Sequence, residues 1–221
     1  LRTNSSPSPT SWRGSGNTSS TDSSARIGPP AFEPDLAERE STAADEKDRI
    51  ALAALAELPR TGSVILDAGS TVARLAAQLP LESELTVVTH ALPVAARLAD
   101  HPGIDLHLVG GRVRHRTRAA VDAWALRAYG EISADVVFLG TNGFSPDGGL
   151  TTPDLAEAAV KRAQVAAARR VVLLADSAKH GQEHFARFGG LADVDLLITD
   201  TELAPASRAA IEAAGTEVRS V

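Results

Sequence analysis

The run Asp67-Ala-Gly-Ser-Thr71 places a carboxylate, a glycine and two hydroxyls directly behind the apolar stretch Ser63-Val-Ile-Leu66. A strand that turns into a helix there leaves the backbone N–H groups of the first helical turn unpaired, at the positive end of the helix dipole. Such a turn can hold phosphate. Gly69 lets the backbone come close, Ser70 and Thr71 add hydroxyl donors, and Asp67 at the strand end can accept a sugar hydroxyl. The competing use of Ser70 or Thr71 is a plain helix N-cap, and the local sequence leaves both uses open.

Positioning this turn requires an α/β domain, and the rest of the chain is patterned as one. Apolar strands are predicted at 63–68, 85–89, 104–109, 134–140, 170–175 and 194–199, with a last short strand at 217–221. Helical spacing of alanine and leucine fills 71–78, 92–99, 119–129, 153–168 and 204–213. Ile50, Ala54 and Leu58 form one more helical stripe, ending before Pro59. Alternating strands and helices with short connections predict an open, mostly parallel sheet with helices on both faces. Ligands of such sheets bind outside the carboxyl ends of the strands. Asp67 to Thr71, Thr89 and His90, Gly110 to Arg112, Gly140 to Gly143 and Asp176 to Lys179 all fall at that edge.

Composition narrows the function. The chain has 221 residues, 43% of them hydrophobic, with a net charge of −6 and no cysteine. That excludes disulfides, thiolate metal sites and cysteine nucleophiles, and it opposes the basic footprint of a nucleic-acid binder. With no apolar run near the roughly 20 residues that cross a bilayer, a cytoplasmic protein without membrane contact is expected. Residues 1–31 are about two-thirds Ser, Thr, Pro and Gly and are expected to be disordered, with the domain proper at 32–221. No cofactor fingerprint, Walker loop or nucleophile elbow appears. His180, Glu183 and His184 could be drawn as a metal site, but Gly181 interrupts their helical spacing and no further ligand accompanies them, so no metal is expected. The arginines from Arg112 to Arg118 either approach a bound phosphate, bridge subunits or form a solvated loop. Trp124 and Tyr129 share a predicted helical stripe and read as packing or dimer contacts.

Several motifs then recur in a recognisable order: Leu66-Asp-Ala-Gly-Ser-Thr71, Thr86-Val-Val-Thr-His90, Leu108-Val-Gly-Gly-Arg112, Phe138-Leu-Gly-Thr-Asn-Gly143, Gly149-Leu-Thr-Thr-Pro-Asp154, Glu157-Ala-Ala-Val-Lys161, Leu174-Ala-Asp-Ser-Ala-Lys179 and Leu197-Ile-Thr-Asp200. Together they resemble the effector-sensing domain of DeoR-family bacterial transcriptional repressors. The resemblance implies a fold like that of ribose 5-phosphate isomerase and the CoA-transferases. It also implies a homo-oligomeric regulator, not an enzyme, in which a phosphorylated sugar alters operator binding. Carried over by position, Gly69, Ser70, Thr71 and Lys179 hold phosphate, and Asp67, Thr89, Asp154 and Glu157 read sugar hydroxyls. For Thr89 and Asp154 the alternative is helix capping, and for Glu157 a solvated helix face.

Three departures mark this chain. His90 stands where the family usually has asparagine, which replaces a neutral amide contact by a titratable imidazole. Asp122 occupies a position more often glycine, read here as a helix-surface change. No helix-turn-helix pattern precedes Phe32, so operator DNA is a partner only if such a module lies upstream; the chain is then truncated or frame-shifted, or is a sensor alone. The resemblance to fructose-operon regulators suggests fructose 1-phosphate as effector. The rival function is a sugar-phosphate isomerase with Glu157 or Asp67 as base. Gly140-Thr-Asn-Gly143 is neutral where the isomerases carry an acidic loop, which favours sensing.

Overall fold

The computed structural model describes residues 35–221. The expected disordered segment 1–31 lies outside them. The described chain opens with α1 (Leu36–Ser41) and α2 (Ala44–Ala54), followed by β1 (Thr61–Leu66), α3 (Ser70–Ala77), β2 (Glu84–Thr89), α4 (Leu92–Leu98) and β3 (Ile104–Leu108). A hairpin of β4 (Arg112–Arg114) and β5 (Ala119–Val121) leads to α5 (Ala123–Gly130). Then come β6 (Val136–Gly140), β7 (Gly143–Ser145), β8 (Gly149–Thr152), α6 (Leu155–Ala166), β9 (Val171–Leu174), β10 (Ala186–Gly189), β11 (Leu196–Thr199), α7 (Pro205–Ala213) and β12 (Glu217–Ser220).

Seven strands form one sheet in the order β12-β11-β9-β6-β1-β2-β3, and every pairing in it is parallel. The fold is therefore α/β, as the strand pattern predicts. Parallel strands covered on both faces must be apolar throughout, and successive side chains must serve opposite cores. Val64 and Leu66 join the core with Ile50, Val72 and Leu75, whereas Ile65 joins the core with Val137, Leu139 and Leu173. Strand order reverses at β1, whose neighbours are β2 and β6. The crevice between the carboxyl ends of β1 and β6 is thus the topological switch point, where such sheets bind ligands.

Two small antiparallel sheets, β10-β8-β7 and β4-β5, sit on this frame. They depart from the sequence reading. Residues 119–121, predicted as the start of a helix, form β5, and the helix begins only after Asp122. Asp122 adopts φ 75°, a left-handed region that breaks the helical course and normally favours glycine. The aspartate at this position is therefore no helix-surface change. Its carboxylate accepts a 2.6 Å hydrogen bond from Arg112 Nε across the hairpin.

Candidate functional site at the strand switch

Asp67 follows β1 directly and is fully buried. Its Oδ2 accepts from the Gly140 N–H at 2.9 Å, tying the end of β1 to the end of β6, and also from Lys161 Nζ. Lys161 donates in addition to the Gly140 carbonyl at 2.9 Å. A buried pair of this kind offsets its desolvation only because further hydrogen bonds complete it. Lys161 comes from α6, which presents Glu157, Lys161 and Gln164 as a buried polar stripe. The spacing of four and then three places all three on one helical face.

Glu157 accepts from Arg114 Nη1 at 2.7 Å, and Arg114 Nε also lies 3.3 Å from Asp154. Asp154 itself caps α6, accepting from the N–H groups of Ala156 and Glu157 at 2.9 and 3.0 Å. Arg114, from the basic hairpin, thus faces the switch point instead of solvent. His90 is buried beside Tyr129 and Gln164, each 3.0 Å from its Nδ1. With the Gln164 amide donating to Nδ1, the ring proton sits on Nε2, 3.8 Å from Asp67 Oδ1. Burial lowers the His90 pKa against the opposing pull of Asp67. The imidazole is therefore held neutral and offers what an asparagine amide would. Tyr129 is a member of this network, while Trp124, expected to share its role, is 72% exposed.

Asp67, His90, Glu157 and Lys161 line one narrow cleft of about 10 Å³ together with Arg39 and Thr117. That is room for a single water. The turn Gly69-Ser-Thr71 lies alongside. Gly69, at φ 151°, is the N-cap of α3 without any side-chain cap bond, so Ser70 and Thr71 are the first helical residues and not caps. α1 packs over this corner, and Ser70 and Thr71 are buried. Cations gather there as well. Lys47 Nζ donates to the carbonyls of Arg39 and Thr42, and burial followed by repulsion from Lys179 pushes its pKa down to about 8. Burial lowers Lys179 too, with its ion-pair partner Asp176 at 3.3 Å opposing.

Thus Asp67, His90 and Glu157 meet in the cleft, and Gly69, Ser70, Thr71 and Lys179 belong to the cationic corner beside it. Thr89 goes elsewhere. Its hydroxyl donates to the Leu66 carbonyl at 2.7 Å and accepts from the Ala91 N–H at 3.1 Å, which ties β1 to the start of α4. Asp154 acts as the cap that was its alternative reading. Sequence reasoning missed Lys161, Arg39 and Thr117. Only Lys161 carried a local signal, four residues after Glu157 in a helix. His180 and His184 have other partners: His180 packs edge-on against Phe144, and His184 Nε2 lies 3.3 Å from the Asn142 carbonyl. No group of three or more potential metal-ligating side chains occurs among the described residues, and no helix there is long and apolar enough to cross a membrane.

The chain is similar to several known proteins. Over 172 residues the chain is 38% identical to the HTH-type transcriptional regulator GlpR of Haloferax volcanii, covering 78% of this chain and 67% of that protein. It is 34% identical to the uncharacterized HTH-type transcriptional regulator FruR of Bacillus subtilis, covering 77% and 68%. With the glycerol-3-phosphate regulon repressor of Escherichia coli it shares 31% identity, covering 74% and 65%. The chain therefore spans about two thirds of the length of these relatives. Among solved structures it is similar to ribose 5-phosphate isomerase from Methanocaldococcus jannaschii, with a TM-score of 0.46 and 16% identity over 62% of this chain and 54% of that one. Residues 42–201 match the DeoR C terminal sensor domain, and the chain belongs to that family of transcriptional regulators.

Proposed function

We propose that the switch-point cleft and the α3 corner form the effector site of this sensor domain, and that the effector is a phosphorylated sugar. The observation that carries the reading is the buried Asp67–Lys161 pair at the strand switch, set beside an uncapped helix N-terminus in a cluster of cations. In a chain of net charge −6, Arg39, Lys47 and Lys179 at one corner make a local positive field suited to phosphate. Neutral and acidic groups next to it suit sugar hydroxyls. The cleft holds only about one water. Admission of a phosphosugar therefore displaces α1. Where the domain is joined to a helix-turn-helix in a homo-oligomer, that displacement biases operator affinity, because a ligand shifts an equilibrium by its unequal affinity for the two states.

Sensing is favoured over turnover because both carboxylates suited to act as a base are engaged by cations, Asp67 by Lys161 and Glu157 by Arg114. The relatives' names bring glycerol 3-phosphate into the panel of probes beside fructose 1-phosphate. Titration calorimetry of the chain with these two, with ribose 5-phosphate and with the unphosphorylated sugars tests the reading. Saturable binding of at least one phosphosugar, with none by its unphosphorylated partner, is expected. Silence across the whole panel overturns the effector site, and ketose formed from ribose 5-phosphate above blank overturns the non-enzymatic reading.

A further inference from the structure

Two buried polar atoms on residues that line the cleft have no hydrogen-bond partner: Asp67 Oδ1 and Thr117 Oγ1. Thr117 is only 4% exposed, and Asp67 is fully buried. Other unpartnered side-chain atoms occur among the described residues, but none belongs to another residue lining this cleft. Leaving such groups unsatisfied is costly, and where their residues border one cleft they mark a place for a ligand atom.

The threonine is held firmly in place. It lies in the turn between β4 and β5, where the carbonyl of Arg116 accepts from the Leu36 N–H at 3.0 Å and that of Arg118 accepts from the Leu92 N–H at 2.9 Å. The turn is thus pinned to α1 on one side and to α4 on the other. Arg118 adopts φ 51°, a left-handed conformation unusual for a residue with a side chain, and its N–H donates to the Arg114 carbonyl at 2.8 Å. Backbone strain kept next to a buried, unsatisfied hydroxyl is a pattern found at ligand clamps.

The chemistry of the two atoms selects the ligand group. An ionised carboxylate oxygen only accepts, and a threonine hydroxyl donates or accepts. A fully ionised phosphate monoester has no proton for Asp67 and is repelled by its charge, whereas an alcohol can donate to Asp67 Oδ1 and accept from Thr117 Oγ1 at once. The volume of about 10 Å³ admits one such group. We infer that Thr117 is a specificity-determining residue of the effector site, where its hydroxyl and the free oxygen of Asp67 together receive a single hydroxyl of the phosphosugar. The inference rests on the effector reading above. It assigns the cleft to the sugar end and leaves phosphate to the α3 corner.

Calorimetry on the wild type, Thr117→Val, Thr117→Ala and Thr117→Ser tests it, with fructose 1-phosphate, glycerol 3-phosphate, ribose 5-phosphate and inorganic phosphate as probes. The valine keeps the shape and removes the hydroxyl. It is expected to weaken the phosphosugar that binds the wild type by about tenfold to a hundredfold, to leave inorganic phosphate within about twofold, and to melt no lower than the wild type without ligand. Serine restores phosphosugar binding, and alanine gives the same comparison should valine not fold. Phosphosugar binding within about twofold of wild type in the valine or alanine variant overturns the inference while leaving the effector reading intact. Equal loss of inorganic phosphate overturns it as well, since the defect is then general. Failure of every phosphosugar to bind the wild type removes the effector reading, and this inference with it.

Discussion

Asp67 and Asp135 stand at opposite ends of the same strand pair and do the same mechanical job. At the amino ends, Asp135 accepts from the N–H and the hydroxyl of Ser63, both at 2.9 Å, and so ties the start of β6 to β1. At the carboxyl ends, Asp67 accepts from the Gly140 N–H and ties β1 to the end of β6. Their surroundings differ. Asp135 is 41% exposed in its side chain, and its second oxygen meets Arg169 at 3.2 Å. Asp67 is buried against Lys161 and keeps one oxygen without a partner. A staple needs only one carboxylate oxygen, so a fold that pays for burying the whole group and leaves half of it unused has another use for that half.

The largest effect should come from separating the two ends through their cations. Lys161→Met leaves Asp67 buried and uncompensated, and urea unfolding is expected to show a loss of about 3–5 kcal/mol. Combining it with Asp67→Asn should recover most of that loss. A loss below about 1 kcal/mol, the range of exposed pairs, would put Asp67 on a par with Asp135 and break the contrast.

Binding sharpens the contrast further. Lys179→Ala and Ser70→Ala should each weaken phosphosugar binding, the lysine change by about 1.5–3 kcal/mol, as for hydrogen bonds to charged groups. Asp135→Asn should leave the affinity where it was. Unchanged affinity in both site variants, measured by calorimetry, would remove phosphate from the α3 corner.

The smallest effect belongs to Asp135 and is set by pH. Hydrogen bonds from Ser63 hold its carboxyl below the ordinary value of 3.8, so its contribution is complete above that value and fades as pH falls through the lowered folded pKa. Asp135→Asn is therefore expected to be less stable than wild type at pH 7, and the difference should close in acid. Unfolding curves taken from pH 7 to pH 2 that run parallel would show the staple to be independent of charge.

Much of the frame was legible because burial on both faces leaves a local mark. Val64, Ile65 and Leu66, or Val171 to Leu174, are consecutive apolar residues, as a covered parallel strand requires. The small antiparallel strands left no such mark. Ala119–Val121 carries the composition of a helix, and its fate turns on the left-handed Asp122 that follows. Part of the site was equally local: Gly69, Ser70 and Thr71 announce a strand-to-helix turn whatever surrounds them. His90 was legible as a departure, but not as a neutral one, because its proton balance depends on burial beside Tyr129 and Gln164.

By itself the sequence determined the α/β class, the position of the carboxyl-end loops and the family, since each follows from periodicity or from motifs within a few residues. Only the tertiary structure decided that Thr89 ties strands together, that Asp154 caps α6, and that Lys161 neutralises Asp67 across 94 residues of chain. Only it placed Arg39 and Thr117 at the same cleft. Whether a polar side chain caps, pairs or waits for a ligand depends on which atoms arrive beside it when distant segments pack, and no local pattern records that arrival.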